Sequence, residues 1–167
     1  NFFYFLTINE SGKTIQRYLQ YGATGGYELI NKWQLEKNIE SEIKALRDNL
    51  KNGVKPPEGE VDVILAPEVT GIAVHESGGH PYEADRIFGR EAAQAGESFI
   101  KEKMIGHKIA NEQVTLVDDP TLEGSYGFYD YDDEGVEGRR KYMVKDGKIV
   151  EFMHDRASAA KMNLKSN

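Results

Sequence analysis

Two histidines and a glutamate in one short stretch, His75, Glu76 and His80, are the residues of this chain best suited to chemistry. Neutral imidazole is a good donor for zinc, and hydrolysis by zinc-activated water needs a carboxylate beside the metal to take a proton. His75 and His80 offer the donors and Glu76 the base, and a Glu directly after the first His is also its place on metalloprotease helices. The spacing is the difficulty. In H-E-x-x-H the two rings project about 40° apart on one helical face, whereas a five-residue step puts them about 140° apart. Gly78 and Gly79 weaken a helix by about 1 kcal/mol each relative to Ala. Pro81 removes a backbone donor and biases His80 away from the right-handed helical region. These residues predict a helix starting near Glu68 to Gly71, capped by Thr70, that bulges or ends around Gly79 and swings His80 back toward His75. A Gly-rich turn with two incidental histidines accounts for the same residues, so the motif alone leaves both readings open.

The stretch resembles the signature of the TldD/PmbA family of DNA gyrase modulators and metalloproteases, with His75, Glu76, Gly79, His80, Glu83 and Asp85 on the H-E-x-x-x-H pattern and its acidic continuation. Ser77, Gly78 and Pro81 are variable or atypical positions of that pattern. Further matching stretches follow in order: Val117 to Thr121, Gly124-Ser125, Asp132 to Gly135, Asp146-Gly147, and Asp155-Arg156 with Ala159. The resemblance covers roughly residues 58–160. It implies a catalytic TldD-type zinc metallopeptidase in which His75 and His80 bind the ion, Glu76 is catalytic, and a Cys from a later part of the chain is the third ligand. Glu83 and Asp85 then orient the imidazoles, with Glu83 as a substitute ligand. The resemblance also implies extended or unfolded peptide substrates and a homo- or hetero-oligomer with a PmbA-type subunit.

With 167 residues and a net charge of −7, the chain is long enough for a core and is a poor match for nucleic acid or an anionic membrane. Hydrophobic residues at 39% and charged residues at 29% fit a globular protein rather than a disordered one. The chain contains no cysteine, which fits a reducing, cytoplasmic setting. A thiolate ligand must then come from outside these residues, so the isolated piece is expected to be inactive. The start at Asn1 within an apolar run, Phe2 to Ile8, also reads as a piece of a larger protein. That run is too short to span a membrane and lacks the flanks of a signal peptide.

The elements that would position the motif divide at residue 57. Residues 1–57 read as a hairpin, Phe2 to Ile8 and Thr14 to Tyr21 around Ser11-Gly12, followed by a helix from Asn31 to Asn52 with the stripe Leu35, Ile39, Ile43, Leu46 and Leu50. Asn31 and Gln34 resemble a capping box, and Gly53 with Pro56-Pro57 ends the helix. In residues 58–167, Val61 to Leu65 reads as a buried strand feeding the motif helix. Glu91 to Ala95 and Glu97 to Ile105 read as short helical turns or a flap, and Gln113 to Val117 as a strand. Lys141 to Lys145 and Lys148 to Met153 meet at Asp146-Gly147, the sequence of a type I′ hairpin. A helix follows from His154 to Met162. The fold class is therefore α+β, with a mixed or antiparallel sheet and hairpins against an amphipathic helix and a distorted metal helix.

The acidic run from Asp118 to Glu137 contains no basic residue. Asp130 to Gly135 imitates an EF-hand loop, but the twelfth position is Lys141 instead of the required Glu. A loop near the active site whose Tyr126, Phe128, Tyr129 and Tyr131 meet a substrate chain is one reading, and a solvated loop with its aromatics packed underneath is the other. His107 and His154 read as structural before they read as ligands. A noncatalytic peptide-binding or assembly module is the alternative function, and a fragment that holds no metal is the alternative within the fold.

Overall fold

The computed structural model describes residues 1–90 and 96–167. The fold is α+β, with two small antiparallel sheets, and the chain divides into two compact units. The first unit comprises residues 1–62 with 123–128, and the second residues 63–122 with 129–167.

In the first unit, strands β1 (Phe2–Glu10) and β2 (Lys13–Tyr21) pair from Phe2↔Tyr21 to Glu10↔Lys13. Ser11 and Gly12, at φ 53° and 74°, supply the two positive torsions that a right-twisted two-residue turn demands. Strand alternation turns Tyr4, Leu6 and Ile8 toward partial burial and leaves Phe3 and Phe5 exposed. The expected single helix from Asn31 is split in two. Helix α1 (Leu29–Lys32) stops where Gln34 adopts a left-handed conformation, φ 46°, and α2 (Leu35–Asn52) starts after it. Gln34 makes no side-chain cap there, so the capping box read from Asn31 and Gln34 does not form. Leu46 is buried, and Tyr21 packs between Tyr4 and Trp33.

The second unit holds the motif. Val61 to Leu65, expected as a buried strand, is neither strand nor buried, and Ile64 is fully exposed. No described strand offers its backbone a ladder, so β-branched composition alone does not make it a strand. Helix α3 (Pro67–Val74) begins at Pro67 with Ala66 preceding it, earlier than Thr70. Proline's fixed φ suits the first helical position, and this displaces Thr70 from the cap into the first turn. The motif then passes through a π-helical turn (His75–Gly79), a 3-10 turn (His80–Tyr82) and helix α4 (Ala84–Ile87). Glu91 to Ala95 lies outside the described residues; the next segment contributes only a 3-10 turn at Glu102–Met104.

Strand β3 (Leu116–Asp118) pairs with β4 (Lys141–Lys145), which pairs with β5 (Lys148–Ile149). Asp146 and Gly147 have φ 50° and 74°, as a type I′ turn needs. A Cβ on Gly147 would lie 2.4 Å from the Ala110 carbonyl oxygen, so only glycine fits. Helix α5 (Arg156–Met162) is capped by Asp155, whose Oδ1 accepts from Ser158 N–H at 2.6 Å. Tyr82, Ala84, Ile87, Ile100, Met143, Val144, Ile149 and Phe152 form the core of this unit.

Candidate metal centre

The two imidazoles meet because the backbone changes its hydrogen-bonding step between them. His80 N–H donates to the His75 carbonyl, an i→i+5 bond that sets residue 80 over residue 75, where an α-helix would set residue 79. The ring centroids stand 4.3 Å apart with planes at 75°. The torsional departure falls at Gly79, φ −97° and ψ −82°, and His80 itself stays right-handed helical at φ −47° and ψ −41°. Pro81 thus does not push His80 out of that region, because the residue without a Cβ absorbs the irregularity. Donor atoms of His75, Glu76 and His80 all lie within 4.8 Å of one another.

Packing holds this turn from both sides. Gly78 is buried against β3, where a Cβ would come within 2.8 Å of Leu116 Cδ1. Past the turn, Pro81, Tyr82 and Ala84 are buried. Met153 N–H donates to the Tyr82 carbonyl, and Ala84 N–H donates to the Met153 carbonyl, both at 2.9 Å. His75 and Glu76 are exposed, and His80 is half-buried. His75 and His80 border a cavity of about 310 Å³ that Glu83, Leu116, Val117, Met143 and Met153 also line.

Glu83 sits beside the trio, with its Oε1 2.9 Å from His80 Nδ1 and its Oε2 accepting from Arg86 Nε. An ionised carboxylate is acceptor-only, so the contact suits the tautomer with its proton on Nδ1, in which Nε2 of His80 is free to ligate. Asp85 hydrogen-bonds to the backbone, its Oδ1 accepting from the Arg86 N–H at 2.9 Å. Asp85 also lines a second cavity of about 460 Å³ together with Glu83, Asp118, Asp132, Asp133 and Asp155. Lys141, buried, bridges to Asp118 at 2.9 Å in that wall. Sequence reading did not single out Arg86 or Lys141, since a lone basic residue has no meaning until its acidic partner's position is known.

The remaining candidates serve the fold. Asp132 Oδ1 accepts from Glu134 N–H and Val136 N–H at 2.9 and 2.8 Å, which folds the EF-hand-like loop back on itself. Among the described residues, the acidic loop forms no ligand cluster comparable to the imidazole pair. His154 is buried with Nδ1 3.3 Å from Ser158 Oγ, and burial pushes its pKa down, which favours the neutral ring. His107 is exposed and takes part through its backbone, with Ile149 N–H donating to its carbonyl at 3.1 Å. Tyr126, Tyr129 and Tyr131 are exposed, whereas Phe128 is half-buried.

The donor set fits zinc: two imidazoles and an adjacent carboxylate, with one ring held by a carboxylate behind it and an open side to solvent. The profile of the PmbA/TldA metallopeptidase C-terminal domain matches residues 58–167. Metalloprotease MJ0996 of Methanocaldococcus jannaschii is 39% identical over 149 residues, which is 87% of this chain and 31% of that relative. The zinc metalloprotease TldD homolog of Saccharolobus solfataricus is 37% identical over 127 residues, 75% of this chain and 25% of the relative. The chain thus spans under a third of the length of these curated relatives. TldE from Thermococcus kodakarensis aligns with 52% of this chain and 18% of its own, at 29% identity and a TM-score of 0.40. Because the span matched by the family profile contains the whole cluster of imidazoles and carboxylate, this chain belongs to the PmbA/TldD metallopeptidase family.

Proposed function

We propose that this chain carries the metal-binding part of a zinc-dependent metallopeptidase. The convergence of His75, Glu76 and His80 across a π-helical turn is the observation that supports it most directly. His75 and His80 would hold zinc, and the ion would supply Lewis acidity toward a peptide carbonyl and toward water. Glu76 adjoins both rings and is open to solvent, so its carboxylate can take a proton from attacking water and deliver it to the departing amine. Glu83 keeps the His80 ring oriented. The third ligand would be a Cys supplied from outside these residues, as the family resemblance implies and the cysteine-free composition requires, so the isolated chain would not turn over.

The substrate would be an extended or unfolded peptide, with the exposed Tyr129 and Tyr131 of the acidic loop as contact surface. A PmbA-type partner subunit and a cytoplasmic setting complete this reading. Among the described residues no helix is long and apolar enough to cross a membrane.

In the full-length protein, Glu76→Gln is expected to lower peptide cleavage at least about a hundredfold while zinc content stays that of the wild type. His75→Ala and His80→Ala are expected to lose the metal itself, read by elemental analysis after dialysis. Cleavage undiminished in Glu76→Gln would leave the carboxylate without the role assigned to it, and would favour a peptide-binding module.

A further inference from the structure

We propose that Arg86 is a positioning residue for the metal centre: it locks Glu83 in the one placement that holds the proton of His80 on Nδ1 and keeps Nε2 available. This rests on the metal-site reading above and adds to it a residue that touches neither metal nor substrate. The chain of contacts runs through three side chains at steps of three, His80 Nδ1 to Glu83 Oε1 at 2.9 Å, then Glu83 Oε2 to Arg86 Nε. Both carboxylate oxygens are therefore engaged. That matters because Glu83 is a half-buried carboxylate beside a cation site, where a free oxygen would compete as a ligand.

Without the guanidinium, Glu83 keeps its rotamer freedom and a bare oxygen next to the imidazole pair. Nδ1 of His80 then loses its dedicated acceptor, and the neutral ring divides between its two tautomers. Molecules protonated on Nε2 cannot ligate through that atom. Arginine suits the task because its planar fork meets a carboxylate in a fixed geometry, where a lysine ammonium is a flexible point donor.

The backbone under this relay is tied into the core. Glu83 bridges to Met153 in parallel fashion, and Ala84 and Ile87 on either side of Arg86 are buried in the core. Arg86 N–H also donates to Asp85 Oδ1 at 2.9 Å, and its carbonyl accepts from Gly89 N–H at 3.0 Å. The side chain thus projects from a helix anchored by buried neighbours and backbone hydrogen bonds, the setting in which an outer residue orients a ligand.

The deciding measurement is the tautomer of His80 in the metal-free full-length protein, by long-range nitrogen-proton correlation of the imidazole. Wild type is expected to carry its proton on Nδ1, Arg86→Met to show a mixture, and Arg86→Lys to fall between. The zinc dissociation constant, from competition with a chelator, is expected to rise about tenfold in Arg86→Met and less in Arg86→Lys. A wild-type ring protonated on Nε2 overturns the proposal, even if Arg86→Met fails to fold. An Arg86→Met protein with unchanged tautomer and zinc affinity overturns it as well. If His75→Ala binds zinc as tightly as wild type, the metal reading itself fails, while the metal-free tautomer still decides whether the relay exists.

Discussion

Asp119 shows how a single carboxylate supports the site from a distance. Its Oδ1 accepts from the Thr121 hydroxyl and backbone N–H at 2.6 and 3.0 Å, and its Oδ2 from Arg140 Nε at 2.6 Å. The Thr121 hydroxyl first, then Arg140, pull its pKa from 3.8 down to about 2. These contacts join the end of β3 to the start of β4, beside the Asp118 to Lys141 bridge. The folded value lies below the unfolded one, so this stabilisation is complete above the ordinary carboxylate range. It is lost as pH falls through about 2. Urea unfolding at a series of acid pH values is expected to show a shallower loss of stability in Asp119→Asn than in wild type between about pH 4 and pH 2. Parallel curves would mean that Thr121 and Arg140 do not favour the ionised form.

At the scale of elements, the π-helical turn is held by what fits behind it. Gly78 leaves no room for a side chain against Leu116, whereas a Cβ on Gly71, in the preceding helix, meets nothing within 4 Å. Gly78→Val is therefore expected to cost about 1–3 kcal/mol through overpacking against β3. Gly71→Ala is expected to stabilise by about 0.5–1 kcal/mol, because it only removes helical glycine. Denaturant midpoints distinguish the two. Equal effects at both positions would show that the turn is not braced by Leu116. Helix α3 runs from Pro67 to Val74, and the imidazoles converge where the chain stops being α-helical.

At the scale of the molecule, an apolar segment remains without a covering layer. Val61, Val63, Ile64 and Leu65 are all at least half exposed, with Ile64 completely so. Contiguous exposed apolar surface promotes association. Ile64→Lys is expected to raise the monomeric fraction of the 167-residue chain several-fold at micromolar concentration, read by sedimentation velocity. An unchanged distribution would show that association, where it occurs, uses another surface. Other apolar residues do form a core, around Tyr82, Ile100, Val144 and Phe152 in the second unit and at Leu46 in the first, while Phe3, Phe5, Val54, Ile72 and Phe99 are exposed as well.

Local chemistry was legible from the chain alone. Period-two alternation set the hairpin of residues 2–21, and Asp146-Gly147 announced a turn with two positive torsions. The helix read from His154 to Met162 forms as Arg156–Met162, and Gly78-Gly79 marked where the motif helix would yield. Each depends on interactions within a few residues, so no distant partner was needed to read it. Tertiary structure decided the rest. Val61 to Leu65 has strand composition but, among the described residues, no neighbouring strand to pair with, and Gln34 moves the start of the amphipathic helix from Asn31 to Leu35 while leaving its stripe intact. Only folding could show that Glu83 meets His80 while Asp85 meets the Arg86 backbone, and that Arg86 engages the Glu83 carboxylate's second oxygen. Sequence carries the inventory of donors and the weak points of the backbone. Which lone pair meets which proton depends on angles that long-range packing sets.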